Sequence, residues 1–174
     1  ALGKIKQKYP AVRVVKNYRE IAANKDIDAV IIVTPPETHY ELCRNFLLAG
    51  KDVLVEKPMT IQKTQARKLT SLAKRKRRVL MVDHVFQYNS GITKLRDYMK
   101  SGVLGDIFYL LGSYTALGPV RSDVNAILDL APHHFYTLNF LLDKQPLWVS
   151  AIEASYLKEE NSDVAFITIG YPGG

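Results

Sequence analysis

"VIIVTPPETHYELCRNFLLAGKDVLVEKPMT", residues 30–60, decides the fold. It begins inside a short continuous apolar run, Ala29 to Val33, rich in β-branched residues as expected for a strand buried on both faces. The segment that follows places Leu42, Phe46, Leu47 and Ala49 at roughly helical spacing, with Gly50 in the stop position. A second strand, Asp52 to Glu56, then runs into the charged pair Glu56 and Lys57 and into Pro58. Outward from there, Thr60 is a plausible N-cap for a helix with Ile61, Ala66, Leu69, Leu72 and Ala73 on or near its buried face. Val79 to Val82 is a third strand. Strands alternating with helices of this length form right-handed βαβ units and a parallel sheet, so the first half belongs to a doubly wound α/β layer.

Beyond His84 the alternation stops. Residues 90–102 read as a helix ending at Gly102, and 105–116 as a longer strand rich in aromatic and β-branched residues. Residues 129–143 read as a helix with Pro132 in its first turn and Phe135, Leu138, Leu141 and Leu142 as its apolar stripe. Two strands follow, at 147–156 and 163–171. The expected division is a partial dinucleotide-binding domain at 1–88 and a partial α+β domain at 89–174. The opening residues suggest a helix-like piece and a short strand at Val12 to Val15. None of the ten glycines forms the G-x-G-x-x-G turn that a first dinucleotide-binding strand carries, so the 174 residues are expected to be an internal portion of a longer protein.

Composition narrows the function classes. The apolar runs are too short to span a bilayer, and no charged segment precedes an apolar one at the start, which excludes a membrane helix or a secretory leader as the reading of these residues and makes the expected location cytoplasmic. Cys43 is the only cysteine, so no internal disulfide forms and a small buried hydrophobe is expected there. The net charge of +7 owes much to the run from Lys74 to Arg78. No aromatic residues interleave that run, and it stands at the end of a helix, where the macrodipole favours cations, so nucleic acid is disfavoured as partner. An anionic small ligand such as a nucleotide cofactor or nucleotide sugar suits a basic protein equally well.

Three blocks now carry a resemblance. The T-P-x-x-x-H turn at Thr34 to His39 with A-G-K-x-V-x-x-E-K-P at Ala49 to Pro58, the segment Gly102 to Ile107, and Asp129 to Leu138 together resemble the family of glucose-fructose oxidoreductases, inositol dehydrogenases and their relatives. The blocks span nearly the whole chain, and "HVFQYN" with "DLAPHH" is most similar to the branch that oxidises nucleotide-linked amino sugars. The resemblance implies a partial Rossmann sheet followed by part of an α+β substrate and oligomerisation domain. It implies NAD or NADP as cofactor, a sugar or nucleotide-sugar substrate, and a homo-oligomer formed through the C-terminal sheet. Ligands of open parallel sheets bind beyond the carboxyl ends of the strands. There, Thr34, Pro35, Pro36 and His39 are implied to lie along the dinucleotide, Glu56 to meet a ribose hydroxyl, and Lys57 to reach the oxygen on the reacting carbon. A lysine ammonium suits that task because it hydrogen-bonds a developing alkoxide, and partial desolvation lowers its pKa. The residue that would separate NAD from NADP lies outside these residues.

Four histidines compete for the role of base. His39, near a helix start, and His84, at a strand end, are readily satisfied polar groups. His133 stands four residues after Asp129, on one helix face, and the family places its catalytic pair at these two positions, with His133 expected as the base and Asp129 expected to orient it. A helix N-terminus disfavours an imidazolium and would keep His133 neutral. His133 and His134 do not form a metal site, because adjacent helical residues diverge and no further ligands accompany them. Two departures stand out: the family's glycine is Ala131, and its last aspartate is Tyr136, which speaks against polyol-type contacts and less against a nucleotide sugar. Tyr88 and Asn89 are candidates for substrate contact, with Tyr88 alternatively packing between domains. The competing function class is a non-catalytic dinucleotide- or sugar-binding regulator of the same fold. Lys57, Asp129 and His133 together favour an enzyme, since a sensor has no need of all three.

Overall fold

The computed structural model describes residues 2–115, 118, 123–157, 159 and 161–173. Its first sheet is the one the opening stretch dictates. Strands β1 (Ala29–Ile32), β2 (Asp52–Val55) and β3 (Leu80–Val82) pair in parallel in the order β1-β2-β3. Ile32 lies opposite Val55, and Val55 opposite Val82, so the carboxyl ends of all three strands finish level. Helices α1 (Leu2–Lys8) and α2 (Tyr18–Ala23) precede the sheet, while α3 (Pro36–Leu48) and α4 (Lys63–Lys76) make its two crossovers.

The helices bury one face of this sheet. Ile32, Val53 and Val55 pack with Cys43, Phe46 and Leu47 of α3 and Leu69, Leu72 and Ala73 of α4. Tyr18 of α2 closes the end of this core, its ring edge-on to Phe46 with centroids 5.8 Å apart. Cys43 is fully buried, and burial pushes its thiol up to about 12, so it behaves as the small hydrophobe its surroundings require. The other face is open. Ile31 and Val33 are 71% and 70% exposed there, and no described residue covers that side of the strand. The register explains it: Ile31, Leu54 and Met81 form one outward row, and the core that covers the sheet lies wholly on the other side.

Helix ends follow local chemistry. Pro36 opens α3 at its first position, where the missing N–H costs nothing. Gly50 follows the helix with φ +76°, the left-handed conformation that glycine adopts without strain. The α4 start is corrected by two residues: Gln62 is the N-cap, Thr60 donates its hydroxyl to the Gln62 carbonyl, and Ile61 remains outside the helix and exposed. Lys74, Arg75 and Lys76 occupy the last turn of α4, and none of the cations from 63 to 78 has an ion-pair partner among the described residues.

After β3 a short 3₁₀ turn (Val85–Tyr88) leads into α5 (Ser90–Lys100), which packs beside α6 (Ala126–Leu142). Helix α6 starts three residues earlier than the sequence suggested, because the Asn125 side chain accepts from the Leu128 N–H and caps it. Pro132 therefore lies inside the helix rather than in its first turn, where it removes the donor that would reach the Leu128 carbonyl. Strands β4 (Trp148–Ala154) and β5 (Val164–Gly170) pair antiparallel as a separate two-stranded sheet against α6.

Two expected strands are absent among the described residues. Residues 12–15 pair with nothing and form an irregular connection. Residues 105–115 are also irregular, with Phe108 and Leu111 82% and 91% exposed; the remaining position of that expected strand, Ala116, lies outside the described residues. Both segments have strand composition, but a strand requires a neighbouring backbone, and no described segment supplies one.

Leu47 is fully buried between α3, α4 and the sheet. Leu47→Ala is expected to lower stability by about 2–5 kcal/mol in urea unfolding, with the fold retained; an unchanged midpoint would contradict a core centred on this leucine.

Candidate active site

The level strand ends create one edge. Glu56 donates its backbone N–H to the Ile32 carbonyl at 3.0 Å, and Asp83 donates to Val55 at 2.9 Å, so the ladder continues to the residues just beyond each strand. Val33, Glu56 and Asp83 consequently stand level at the sheet's edge, with Thr34 one residue beyond. Thr34 and Pro35 are exposed at the start of α3, where the hydroxyls of Thr34 and Thr38 lie 2.7 Å apart and Thr38 also donates to the Pro35 carbonyl. Pro36 and His39 are buried. Of the four residues implied to lie along a dinucleotide, only Thr34 and Pro35 present side chains at this edge, because α3 turns the other two into the protein.

His39 is wholly enclosed. Its Nδ1 lies 2.9 Å from the Pro58 carbonyl oxygen and its Nε2 2.7 Å from the Thr34 carbonyl oxygen. Both ring nitrogens are thus committed to backbone, and neither is free for a cofactor.

Lys57 stands two residues beyond the end of β2, at a cis Lys57–Pro58 peptide. Its ammonium donates to the Asp129 carboxylate at 2.9 Å and to the Asp129 backbone carbonyl at 2.6 Å. The two side chains are 17% and 27% exposed, which shields the pair from solvent screening more than a surface bridge. Asp129 belongs to the first turn of α6, and His133 stands one turn further on. The pair therefore brings His133 to the strand edge.

His133 titrates below the ordinary histidine range. Burial is the largest cause and the Lys57 cation the second, partly offset by Asp129 and Glu56. The origin differs from the one expected, a helix N-terminus: α6 begins at Ala126, so His133 is in its second turn. Its buried Nδ1 has no hydrogen-bond partner among the described residues, whereas the Asp129 carboxylate is on Lys57. The grip of Asp129 is on the lysine.

Several neighbours were not singled out from sequence. The Phe86 ring stands edge-on to His133 at 4.9 Å between centroids, and Tyr114 lies roughly parallel to it at 6.4 Å. Tyr136, in place of the family's aspartate, donates its hydroxyl to Gln87 Oε1 at 2.5 Å and stacks on His84 with centroids 4.0 Å apart. His84 is not a satisfied polar group: its buried Nδ1 lacks a partner among the described residues, and burial followed by the nearness of His133 lowers its pKa. The joint signal was "HVFQYN" facing the helix at Tyr136, invisible until α6 is placed. His134 turns away toward Gly112, where a Cβ would come within 2.9 Å of its Nδ1. Tyr88 is 66% exposed among the described residues, and Asn89 uses its side-chain oxygen to cap α5. No cluster of metal-binding side chains occurs among the described residues, and none of their helices is long and apolar enough to cross a membrane. Two open grooves beside α4, about 410 and 240 Å³, include none of Lys57, Asp129 and His133.

The edge fits a dinucleotide. Exposed Thr34 and Pro35 at a helix start, a half-buried Glu56 on the adjacent strand, and a cation beside them match a ligand lying across the carboxyl ends of parallel strands. A parallel α/β sheet whose ligand-facing groups gather at the carboxyl ends of its strands is the Rossmann arrangement. Residues 3–84 match the oxidoreductase family with an NAD-binding Rossmann fold, and the chain belongs to that family, the glucose-fructose oxidoreductases, inositol dehydrogenases and their relatives. The cofactor of the family is a nicotinamide dinucleotide.

The chain is 35% identical over 139 residues to the oxidoreductase YdgJ of Escherichia coli (strain K12), covering 75% of this chain and 40% of that protein. It is 31% identical over 141 residues to the dTDP-3,4-didehydro-2,6-dideoxy-alpha-D-glucose 3-reductase of Streptomyces violaceoruber, covering 75% and 41%. The solved structure of the oxidoreductase yvaA from Bacillus subtilis superposes with a TM-score of 0.88 at 28% identity, over 97% of this chain and 50% of that one. The chain thus spans about two-fifths of the length of these curated relatives.

Because folding holds His133 and His84 neutral at pH values where the unfolded chain is protonated, stability rises with pH between their lowered values and the ordinary histidine value. In an NMR titration Lys57→Met should raise the His133 midpoint, since it removes a cation that disfavours the imidazolium. Identical midpoints in the two proteins would mean that His133 does not sense the lysine.

Proposed function

We propose that the whole protein is an NAD- or NADP-dependent dehydrogenase that moves hydride between nicotinamide and a secondary hydroxyl of a sugar, the substrate class being a nucleotide-linked amino sugar. One observation carries this reading: the Lys57 ammonium is held 2.9 Å from the Asp129 carboxylate, one helical turn before a histidine that burial and that same lysine keep neutral. The kinship with a dTDP-sugar reductase supports the nucleotide-linked class, as does Tyr136 standing where a polyol-binding relative would carry a carboxylate.

When bound, the oxidised dinucleotide supplies the hydride acceptor. His133 accepts the hydroxyl proton of the substrate while hydride leaves the same carbon, which becomes a carbonyl. Lys57 donates a hydrogen bond to the oxygen on that carbon, stabilising alkoxide character as it develops. Asp129 fixes the ammonium so that it does not have to be ordered during the reaction. In the reducing direction the same groups act in reverse, with protonated His133 as the acid. Thr34, Pro35 and Glu56 are assigned to the dinucleotide, Glu56 to a ribose hydroxyl. Tyr88 and the amide nitrogen of Asn89 are assigned to the sugar's distal part.

The test uses the full-length protein with UDP-N-acetylglucosamine and dTDP-glucose, each with NAD and NADP, followed by nicotinamide absorbance. Once a substrate is found, Lys57→Ala should lower kcat by about 10²-fold or more while dinucleotide affinity changes little. Near-normal turnover would remove Lys57 from the chemistry.

A further inference from the structure

Among the described residues, His39 is a fully buried ionisable side chain that joins two parts of the candidate site to each other. Its two ring nitrogens reach carbonyls on separate turns: Thr34, which leaves β1, and Pro58, which directly follows Lys57. The first turn carries the surface assigned to the dinucleotide. The second carries the lysine that holds Asp129 and is assigned to the reacting oxygen. Both partners are acceptors, so a ring protonated at both nitrogens serves both turns, and a neutral ring serves one at a time.

We propose that His39 is a positioning residue that sets the Thr34 turn and the Lys57 turn relative to each other, and so fixes the distance between bound dinucleotide and the ammonium that faces the substrate. The inference rests on the functional reading above. The adjacent geometry offers little else for the purpose. β1 and β2 are hydrogen-bonded only as far as the Glu56 N–H, and beyond that point the two chains diverge, one into α3 and the other into the loop before α4. The imidazole spans the gap from the interior, and the core around Cys43 and Leu47 holds α3 against the sheet beneath it. Misplacement of a catalytic group by about 1 Å costs on the order of 10²-fold in rate. A strut of this kind therefore acts on rate without touching substrate or cofactor.

The experiment compares His39→Phe with Leu47→Ala in the full-length protein. His39→Phe keeps a ring but supplies no N–H; Leu47→Ala weakens the same core without altering either turn. Amide hydrogen exchange and NADH or NADPH binding are measured first, then kcat and KM on the substrate found above. His39→Phe is expected to speed exchange at both Thr38, whose N–H donates to the Pro35 carbonyl, and Lys57, whose N–H donates to the Glu56 carboxylate, to weaken dinucleotide binding, and to lower kcat by about 10²-fold. Leu47→Ala is expected to lose stability with kcat and both turns nearly unchanged. His39→Gln, which retains an N–H donor for one carbonyl, should recover part of kcat and decides the matter if His39→Phe does not fold. Faster exchange at one turn only, or a kcat in His39→Phe or His39→Gln equal to that of the wild type, would overturn the proposal. If the wild-type protein binds neither NADH nor NADPH, the dehydrogenase reading fails instead, and the exchange result alone judges the strut.

Discussion

The ion pair between Lys57 and Asp129 is the contact on which the site depends. Lys57 emerges from the parallel sheet and Asp129 from the first turn of α6, seventy-two residues later in the chain. With two acceptors from the same aspartate, backbone and carboxylate, the ammonium fixes both the approach of α6 and its rotation. The rotation is what matters chemically, because it turns His133, Tyr136 and the rest of that face toward the residues that follow β3. The same cation then suppresses protonation of His133. One interaction both brings the candidate residues together and disfavours the charged form of the histidine proposed as base.

That pair could not form without the register beneath it. Parallel pairing brings Ile32, Val55 and Val82 level, and the backbone ladder runs one residue further at Glu56 and Asp83. The core under this edge is an apolar cluster, and beside it lies the buried ring of His39, with a backbone carbonyl within hydrogen-bond distance of each nitrogen. A buried ring wedged between two acceptors tolerates little displacement, since movement away from the carbonyl it serves leaves a buried polar group unpaired. The edge therefore combines a firm apolar floor with a polar strut, while the groups assigned to ligands stand above it.

Much of this was legible in the residues. The three parallel strands, their crossover helices and the antiparallel pair at the end follow from apolar periodicity and from glycine and proline punctuation, which are local properties. What failed was context. Ala29 to Val33 has the composition of a fully covered strand, but coverage depends on what packs against it, and the described residues cover one side only. Residues 105–115 have strand chemistry without a strand partner among the described residues. Equating a proline with a first turn misplaced the start of α6, where Asn125 supplies a stronger start signal than Pro132. The chemistry of His39 was hidden for a similar reason: its motif marks an important position, but only the fold distinguishes facing the ligand from holding the turn that does. The Lys57–Asp129 contact and the Tyr136–Gln87 bond link residues too far apart in sequence for spacing to suggest them.

The most direct measurement is a double-mutant cycle between Lys57→Met and Asp129→Asn, read as kcat/KM in the full-length protein. If the aspartate works by holding the lysine, it loses most of its effect once the lysine is gone, and the double variant should be little worse than Lys57→Met alone. Strictly additive losses would mean that the two residues act independently, which would contradict a site assembled through their ion pair.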